Sequence, residues 1–100
     1  MHLISYDIVH NRLRLKVAKL LLRYGLHRIQ YSVFLGEIKE STLGRLQAQL
    51  LLLPQSPEWS PEDTILLLPL HQYSEDNLEF IGKTPERWEE MTGQLHTLVI

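Results

Sequence analysis

The feature that most constrains the fold is a change of hydrophobic period close to residue 10. Residues 2–9 alternate between apolar and polar positions, which predicts a strand with one buried face. The side expected to be buried carries Ile4, Tyr6 and Ile8. Residues 12–24 place Leu13, Val17, Leu20, Leu21 and Tyr24 at helical spacing. Because Asn11 suits a helix start and Gly25 a helix end, the chain is expected to open as a strand followed directly by a helix.

Residues 27–38 form the next extended segment, which is either one bent strand or two short strands with a tight corner near Tyr31 and Ser32. Read with period two, its core side carries Ile29, Tyr31 and Val33, and its other side carries Arg28, Gln30, Ser32 and Phe34. A second helix, with Ser41 as its cap, is expected to follow. The apolar run 64–70 is typical of a central, buried strand.

The order of these elements matches the ferredoxin-like βαββαβ plan of the α+β class. Two helices then pack on one face of an antiparallel sheet, and the other face is left open. We expect residues 1–82 to form this domain and residues 83–100 to form a C-terminal extension that ends in an apolar strand. That strand either packs on its own domain or adds to a neighbouring sheet, in a dimer mate or another partner.

A chain this short has one core, and a sheet face that it cannot cover itself needs a partner, for which a second copy related by a twofold axis is one candidate. The residues assigned to this interface are Ser5, Asp7, Gln30 and Ser32, with Arg28 beside them. The dimer would bring two copies of Asp7 together, which suits a shared Mg²⁺ ion. Alternatively, Asp7 caps the first helix or pairs with Arg14 or Arg28.

Charge is distributed unevenly along the chain. Between Val9 and Gly36 there are six basic residues and no acidic one, although the whole chain has a net charge of −2. Four of these cations fall on one stripe of the first helix, namely Arg12, Lys16, Lys19 and Arg23. The stripe predicts a phosphate-rich partner. The alternative is that the basic and acidic surfaces are simply solvated.

Several classes of protein are excluded by what the sequence lacks. It has no cysteine, so disulfides and thiolate metal sites are excluded. It has no glycine-rich phosphate loop. It has no signal-peptide pattern and no apolar run near the roughly 20 residues that span a bilayer, so a cytoplasmic protein without a membrane contact is expected.

Two stretches carry a family resemblance, "LISYDI" and "RLRLKVAKLLLRYGLHRIQYSVFLGEI". Together they resemble the CRISPR-associated protein two family over residues 1–38, and "TILLLPL" and "LEFIGK" fit more loosely. The resemblance implies a ferredoxin-like homodimer in spacer acquisition. Such a dimer bridges the CRISPR-associated integrase and binds double-stranded spacer-precursor DNA. It also implies a metal-dependent endonuclease activity in some members, with single-stranded RNA as a further candidate partner.

The resemblance also implies roles for particular residues. Asp7 corresponds to the Mg²⁺ ligand, shared between the two subunits, and the catalytic set is Asp7, Arg14, Arg28 and Phe34. The residues expected to bind nucleic acid are Arg12, Arg14, Lys16, Lys19, Arg23 and Arg28. Two departures from the family pattern weaken the nuclease interpretation and leave the DNA-binding interpretation intact. His10 and Asn11 stand where the family often has acids, and Lys16 replaces an arginine and its bidentate fork.

Two alternative functions stay open at this point. One is a structural nucleic-acid-binding scaffold without catalysis. The other is a regulatory ferredoxin-like module that binds a small ligand, although the glycine-rich loop contacts expected of such a module are missing.

Overall fold

The computed structural model describes residues 1–85. Its strands are β1 (His2–Asp7), β2 (His27–Gln30), β3 (Val33–Gly36) and β4 (Thr64–Pro69). Its helices are α1 (Asn11–Arg23), α2 (Glu40–Leu50) and α3 (Gln72–Asp76), with a 3₁₀ turn at Leu53–Gln55. The strands form one sheet in the order β2-β3-β1-β4, with every neighbouring pair antiparallel. This order confirms the ferredoxin-like prediction.

Helix α1 begins and ends where the sequence predicts, but its first cap differs. His10, rather than Asn11, is the N-cap, and its Nδ1 accepts a hydrogen bond from the Arg12 backbone N–H at 3.2 Å. At the other end Gly25 adopts a φ of 86°, a left-handed conformation that glycine tolerates best. The backbone N–H of Leu26 then donates to Leu21 O, which completes a Schellman motif.

The core lies between α1, α2 and one face of the sheet. Sheet residues Ile4, Tyr6 and Ile8 are buried there, as the alternation of β1 predicts. The helix residues that pack against them include Leu13, Val17, Leu20, Leu21, Leu46 and Leu50. We call this side of the sheet the helix face and the other side the open face. Directly paired residues share a face, so Leu3, Ser5 and Asp7 define the open one.

Residues 27–36 form two short strands joined by a tight turn at Tyr31 and Ser32, which decides between the two predicted arrangements. The prediction that Tyr31 belongs to the core is wrong, because its side chain lies in the turn and is 76% exposed. The turn is held to β1 by a backbone hydrogen bond from Tyr6 N–H to Ser32 O.

The two-residue turn and a β-bulge in β2 overturn the predicted faces of this hairpin. Gln30 and Val33 flank the turn and pair directly, so they share the open face, although strict alternation puts them on opposite faces. Phe34 therefore lies on the helix face and is fully buried, while Val33 lies on the open face opposite Ser5. Ile29 is an extra residue between the Arg28–Phe34 and Gln30–Val33 pairs, and this bulge places Arg28 on the helix face while Gln30 stays on the open one. Phe34, Val33 and Arg28 had each been predicted on the opposite face.

Two further expectations need correction. Helix α2 starts at Glu40 after Lys39, whose side chain makes no capping hydrogen bond, so Ser41 is not the cap. Strand β4 ends at Pro69, but within residues 1–85 it pairs only with β1 and is an edge strand, not the central strand that the apolar run predicts. It alternates between half-buried and exposed positions instead of being buried throughout, because only one of its faces is covered by helices.

The predicted terminal strand at residues 95–100 lies outside the described residues. Within residues 1–85, no helix combines the length and the apolar character that a membrane span requires.

Candidate functional site

Asp7 ends β1 on the open face, opposite Thr64 of β4, and its side chain is exposed. Within residues 1–85 its carboxylate makes no hydrogen bond or ion pair. The alternatives in which Asp7 caps α1 or pairs with a nearby arginine therefore do not hold, since His10 is the cap. A carboxylate of this kind remains available to a ligand.

Arg14 lies at the start of α1 and points back to the chain that follows Asp7. Its Nη1 donates to the carbonyl oxygens of Ile8 and Val9, both at 2.9 Å. Its Nε is buried and has no hydrogen-bond partner among the described residues. The structure thus shows Arg14 holding backbone, with no contact to the Asp7 carboxylate.

Sequence analysis missed Asp63, which is 9% exposed and lies directly before β4. Its Oδ1 accepts from the Val9 N–H at 3.0 Å and its Oδ2 from the Ser60 N–H at 2.8 Å. The spacing Ser60-x-x-Asp63 resembles a capping box, in which the fourth residue reaches back to the first N–H. That spacing is the one local pattern that could have predicted the bond to Ser60. No local pattern predicts the bond to Val9, which is 54 residues away in sequence.

Arg28 and Phe34, both assigned to the catalytic set by resemblance, lie on the helix face and not beside Asp7. The Arg28 guanidinium carbon stands 5.1 Å from the centre of the Phe34 ring, a cation–π contact. Phe34 also stacks on Tyr6 at 6.1 Å between ring centres. A fully buried Phe34 has no surface for a substrate, so its direct catalytic assignment is not supported by this geometry.

The open face is more apolar than the sequence predicts. Ser5 and Gln30 lie on it as expected, since Ser5 pairs with Val33 and Val33 with Gln30. Half-buried Ser32 lies in the adjoining turn. The apolar members come mainly from β4, where Leu66 and Leu68 are 53% and 44% exposed. Large apolar side chains grouped in this way are typical of an interaction surface.

The basic stripe lines a groove of about 780 Å³ between α1 and residues 49–57. All four of its cations contribute to one wall, Arg12, Lys16, Lys19 and Arg23. Of these four cations, only Arg12 forms an ion pair with a described residue, and that pair is a long one of 3.8 Å between its Nε and Glu58. The groove therefore presents several unneutralised positive charges on the outer side of the helices, away from the open face.

A protein-family model matches most of the described part of this chain. The model of the family described as CRISPR associated protein Cas2 matches residues 1–77. This chain belongs to that family. The match confirms the resemblance drawn from the sequence, and it covers β1, the basic helix α1, the hairpin and β4.

Two curated members of the Cas2 family are similar over most of their length. The protein named CRISPR-associated endoribonuclease Cas2 3, from Synechocystis sp. (strain ATCC 27184 / PCC 6803 / Kazusa), is 35% identical over 85 residues, 85% of this chain and 87% of that protein. CRISPR-associated endoribonuclease Cas2 1 from Archaeoglobus fulgidus is 33% identical over 84 residues, 84% of this chain and 85% of that protein.

Solved structures are similar in fold. A hypothetical protein from Thermus thermophilus superposes with a TM-score of 0.66 and 27% identity, covering 84% of this chain and 92% of that one. Streptococcus pyogenes Cas2 superposes with a TM-score of 0.65 at 23% identity, covering 81% of this chain and 98% of that one. This likeness to Streptococcus pyogenes Cas2 supports the ferredoxin-like fold alone.

Proposed function

We propose that this protein acts in CRISPR spacer acquisition as a homodimer that bridges the CRISPR-associated integrase and binds double-stranded spacer-precursor DNA. The observation that carries the proposal is the groove along α1, where four cations of one helix stripe lie together. Membership of the Cas2 family supplies the CRISPR context.

The groove suits the phosphate backbone better than it suits bases. Lysine and arginine neutralise phosphates without reading sequence. No aromatic side chain lines the groove as described, so the stacking surface that single-stranded binding usually requires is missing there. We therefore expect the duplex to bind independently of sequence and with a steep dependence on salt.

The open face supports the homodimer. Leu66 and Leu68 would lose their contact with water if a second copy covered this face. Because Ser5 and Asp7 occupy the same face, the twofold axis of such a dimer would bring the two copies of Asp7 towards each other.

Charge reversal in the groove tests the DNA-binding part. Lys16→Glu/Lys19→Glu should weaken duplex affinity by at least about tenfold and make the salt slope shallower by about 0.9 for each lost phosphate contact. The matched control is Lys39→Glu/Arg45→Glu, which changes the net charge equally with exposed cations outside the groove. Fluorescence anisotropy over a salt series measures both. If both variants lose the same amount of duplex affinity, the loss reflects net charge alone and the groove is not the binding site.

A second candidate function is metal-dependent hydrolysis of a phosphodiester in RNA or DNA. The observation that favours it is the exposed Asp7 carboxylate without a partner in residues 1–85. The names of the Synechocystis and Archaeoglobus relatives, which call them endoribonucleases, agree with it.

Mg²⁺ fits this site only when two chains contribute. Among the described residues no cluster of three or more histidines, aspartates or glutamates is placed to hold a metal ion. Mg²⁺ is commonly held by one or two carboxylates with waters and substrate phosphates, which a pair of Asp7 side chains would match. When bound, the ion would polarise the attacked phosphate and activate a water. Asp7 itself would hold the ion at the dimer axis.

Asp7→Asn tests the hydrolytic candidate. Mg²⁺-dependent cleavage of RNA and of duplex DNA should fall by at least about 100-fold, because the amide is a neutral and weaker ligand for a hard cation. Duplex affinity in the absence of Mg²⁺ should stay unchanged, since the groove lies on the helix side of the sheet and Asp7 lies on the open face. Undiminished cleavage by the variant would assign the activity to another site or to a contaminant.

A further inference from the structure

Val9, two residues after Asp7, has both of its backbone polar groups held by charged side chains. Its N–H donates to Asp63 Oδ1 at 3.0 Å, and its carbonyl accepts from Arg14 Nη1 at 2.9 Å. The same Nη1 also reaches the Ile8 carbonyl at 2.9 Å. Val9 lies outside regular secondary structure, so these side chains replace the ladder bonds that end with β1.

The two side chains reach Val9 from different parts of the fold. Arg14 belongs to the first turns of α1, and its backbone N–H is bonded to His10 O at 3.0 Å. Asp63 immediately precedes Thr64, which is the ladder partner of Asp7. The segment that follows Asp7 is therefore joined by the Asp63–Val9 bond to the residue that precedes Thr64, and Arg14 holds the same segment from α1.

Both oxygens of the Asp63 carboxylate are used in hydrogen bonds to backbone N–H groups. It is 9% exposed, and its two oxygens accept from the N–H groups of Val9 and Ser60. A buried carboxylate that accepts two backbone N–H bonds forms strong, charge-assisted contacts with fixed geometry. Its near-complete burial leaves almost no surface for contact with a substrate.

We propose that Arg14 and Asp63 are positioning residues for Asp7, which they orient by clamping the Val9 peptide groups from two sides. This inference rests on the proposed role of Asp7 as the metal-binding carboxylate. It changes the expected role of Arg14, because Nη1 is already bonded to two carbonyl oxygens and Nε is buried. Arg14 then acts on the reaction through Asp7, without contact with the phosphate.

The test compares Asp63→Ala, Asp63→Asn and Arg14→Lys in the full-length homodimer. Three-bond couplings measured by NMR on isotope-labelled protein report the backbone φ angles of Asp7, Ile8 and Val9 without metal or substrate. We expect a single backbone conformation in the wild type, and averaging in Asp63→Ala and in Arg14→Lys. Asp63→Asn retains an oxygen for the Val9 N–H and should restore much of the wild-type coupling. Glu62→Ala removes a neighbouring exposed acid and should change nothing.

Kinetics separate positioning from a merely structural role. Asp63→Ala and Arg14→Lys should each lower kcat for Mg²⁺-dependent cleavage by about 10- to 100-fold, the usual cost of a misplaced catalytic group, while KM stays unchanged. Because both act through Val9, the double variant should lose little more than either single one.

The outcomes distinguish this inference from the proposed function. Backbone couplings at residues 7–9 that are unchanged in Asp63→Ala and Arg14→Lys overturn the clamp, whatever the cleavage rate. A rise in KM or in the duplex dissociation constant of Arg14→Lys, with kcat preserved, also overturns it and returns Arg14 to phosphate binding. If the couplings average as expected but the wild type shows no Mg²⁺-dependent cleavage, the clamp stands and the hydrolytic candidate fails.

Discussion

The two faces of the sheet are built differently, although both are carried by the same four strands. The helix face is sealed, with Ile4, Tyr6 and Phe34 buried under α1 and α2. The open face carries Ser5 and Asp7 beside Leu66 and Leu68, which remain about half exposed. The four cations of the basic stripe belong to neither face, since they line the groove on the outer side of α1.

This comparison shows why the proposed functions depend on the structure to different degrees. Binding a phosphate backbone requires a concentration of positive charge, which one helix provides by spacing alone. The proposed metal-dependent site requires a carboxylate from each of two subunits at a defined place, and therefore depends on strand register and on the chain beyond the strand end. The groove follows from α1, whereas the proposed Asp7 site would require β1, β4 and a second subunit.

The largest expected effect is on the helix face. Phe34→Ala should lower the free energy of unfolding by about 3–5 kcal/mol, because it removes a fully buried ring from the core. Chemical denaturation measures this loss. Tyr31→Ala, at a 76% exposed turn position in the same hairpin, should change it by less than about 0.5 kcal/mol.

A milder substitution tests the function of Phe34. Phe34→Leu should fold and keep its cleavage rate if the ring serves the core only. A folded Phe34→Leu protein that has lost cleavage would contradict the assignment of Phe34 to the sealed face.

On the open face, the expected effect is on association. Leu66→Lys should weaken the homodimer by roughly 10- to 100-fold, because burial of a leucine contributes about 1.5–3 kcal/mol. Sedimentation velocity over a concentration series measures it. Leu51→Lys is the control, since Leu51 is 74% exposed at the end of α2, on the helix side of the sheet and not on the open face. An unchanged dimer in Leu66→Lys would mean that the subunits meet through another surface.

The smallest expected effect is at Arg28. Arg28→Gln removes a cation–π contact with Phe34 at an exposed edge and should cost about 0.5–1 kcal/mol of unfolding free energy. Gln30→Ala, on the open face of the same strand, should leave the unfolding free energy unchanged. If Arg28→Gln instead abolishes Mg²⁺-dependent cleavage at unchanged stability, Arg28 acts together with Asp7, and the separation of the two faces is wrong.

Local pattern was sufficient for the larger part of the fold. The alternation of β1, the amphipathic spacing of α1 and the glycine after it all depend on residues close together in sequence, and each was predicted correctly. The order of elements then limited the topology to the ferredoxin-like plan, which the strand order confirms. The basic stripe is equally local, because cations three or four residues apart necessarily share one side of a helix.

The hairpin shows where local pattern fails. Period-two reading assumes an uninterrupted strand, but the two-residue turn exchanged the faces of Val33 and Phe34, and one bulged residue in β2 moved Arg28 to the helix face. The bulge depends on how β2 pairs with β3, and so on contacts that the alternation of residues does not record.

The sequence by itself therefore determined which residues of this protein are extended, which are helical and where its positive charge collects. Only the tertiary structure decided that Arg28 lies over a buried ring, that β4 is an edge of the described sheet, and that Asp63 reaches Val9. The physical reason is sequence separation. Helical spacing is fixed within a few residues, whereas register and the partner of a buried carboxylate are fixed only when distant segments pack together.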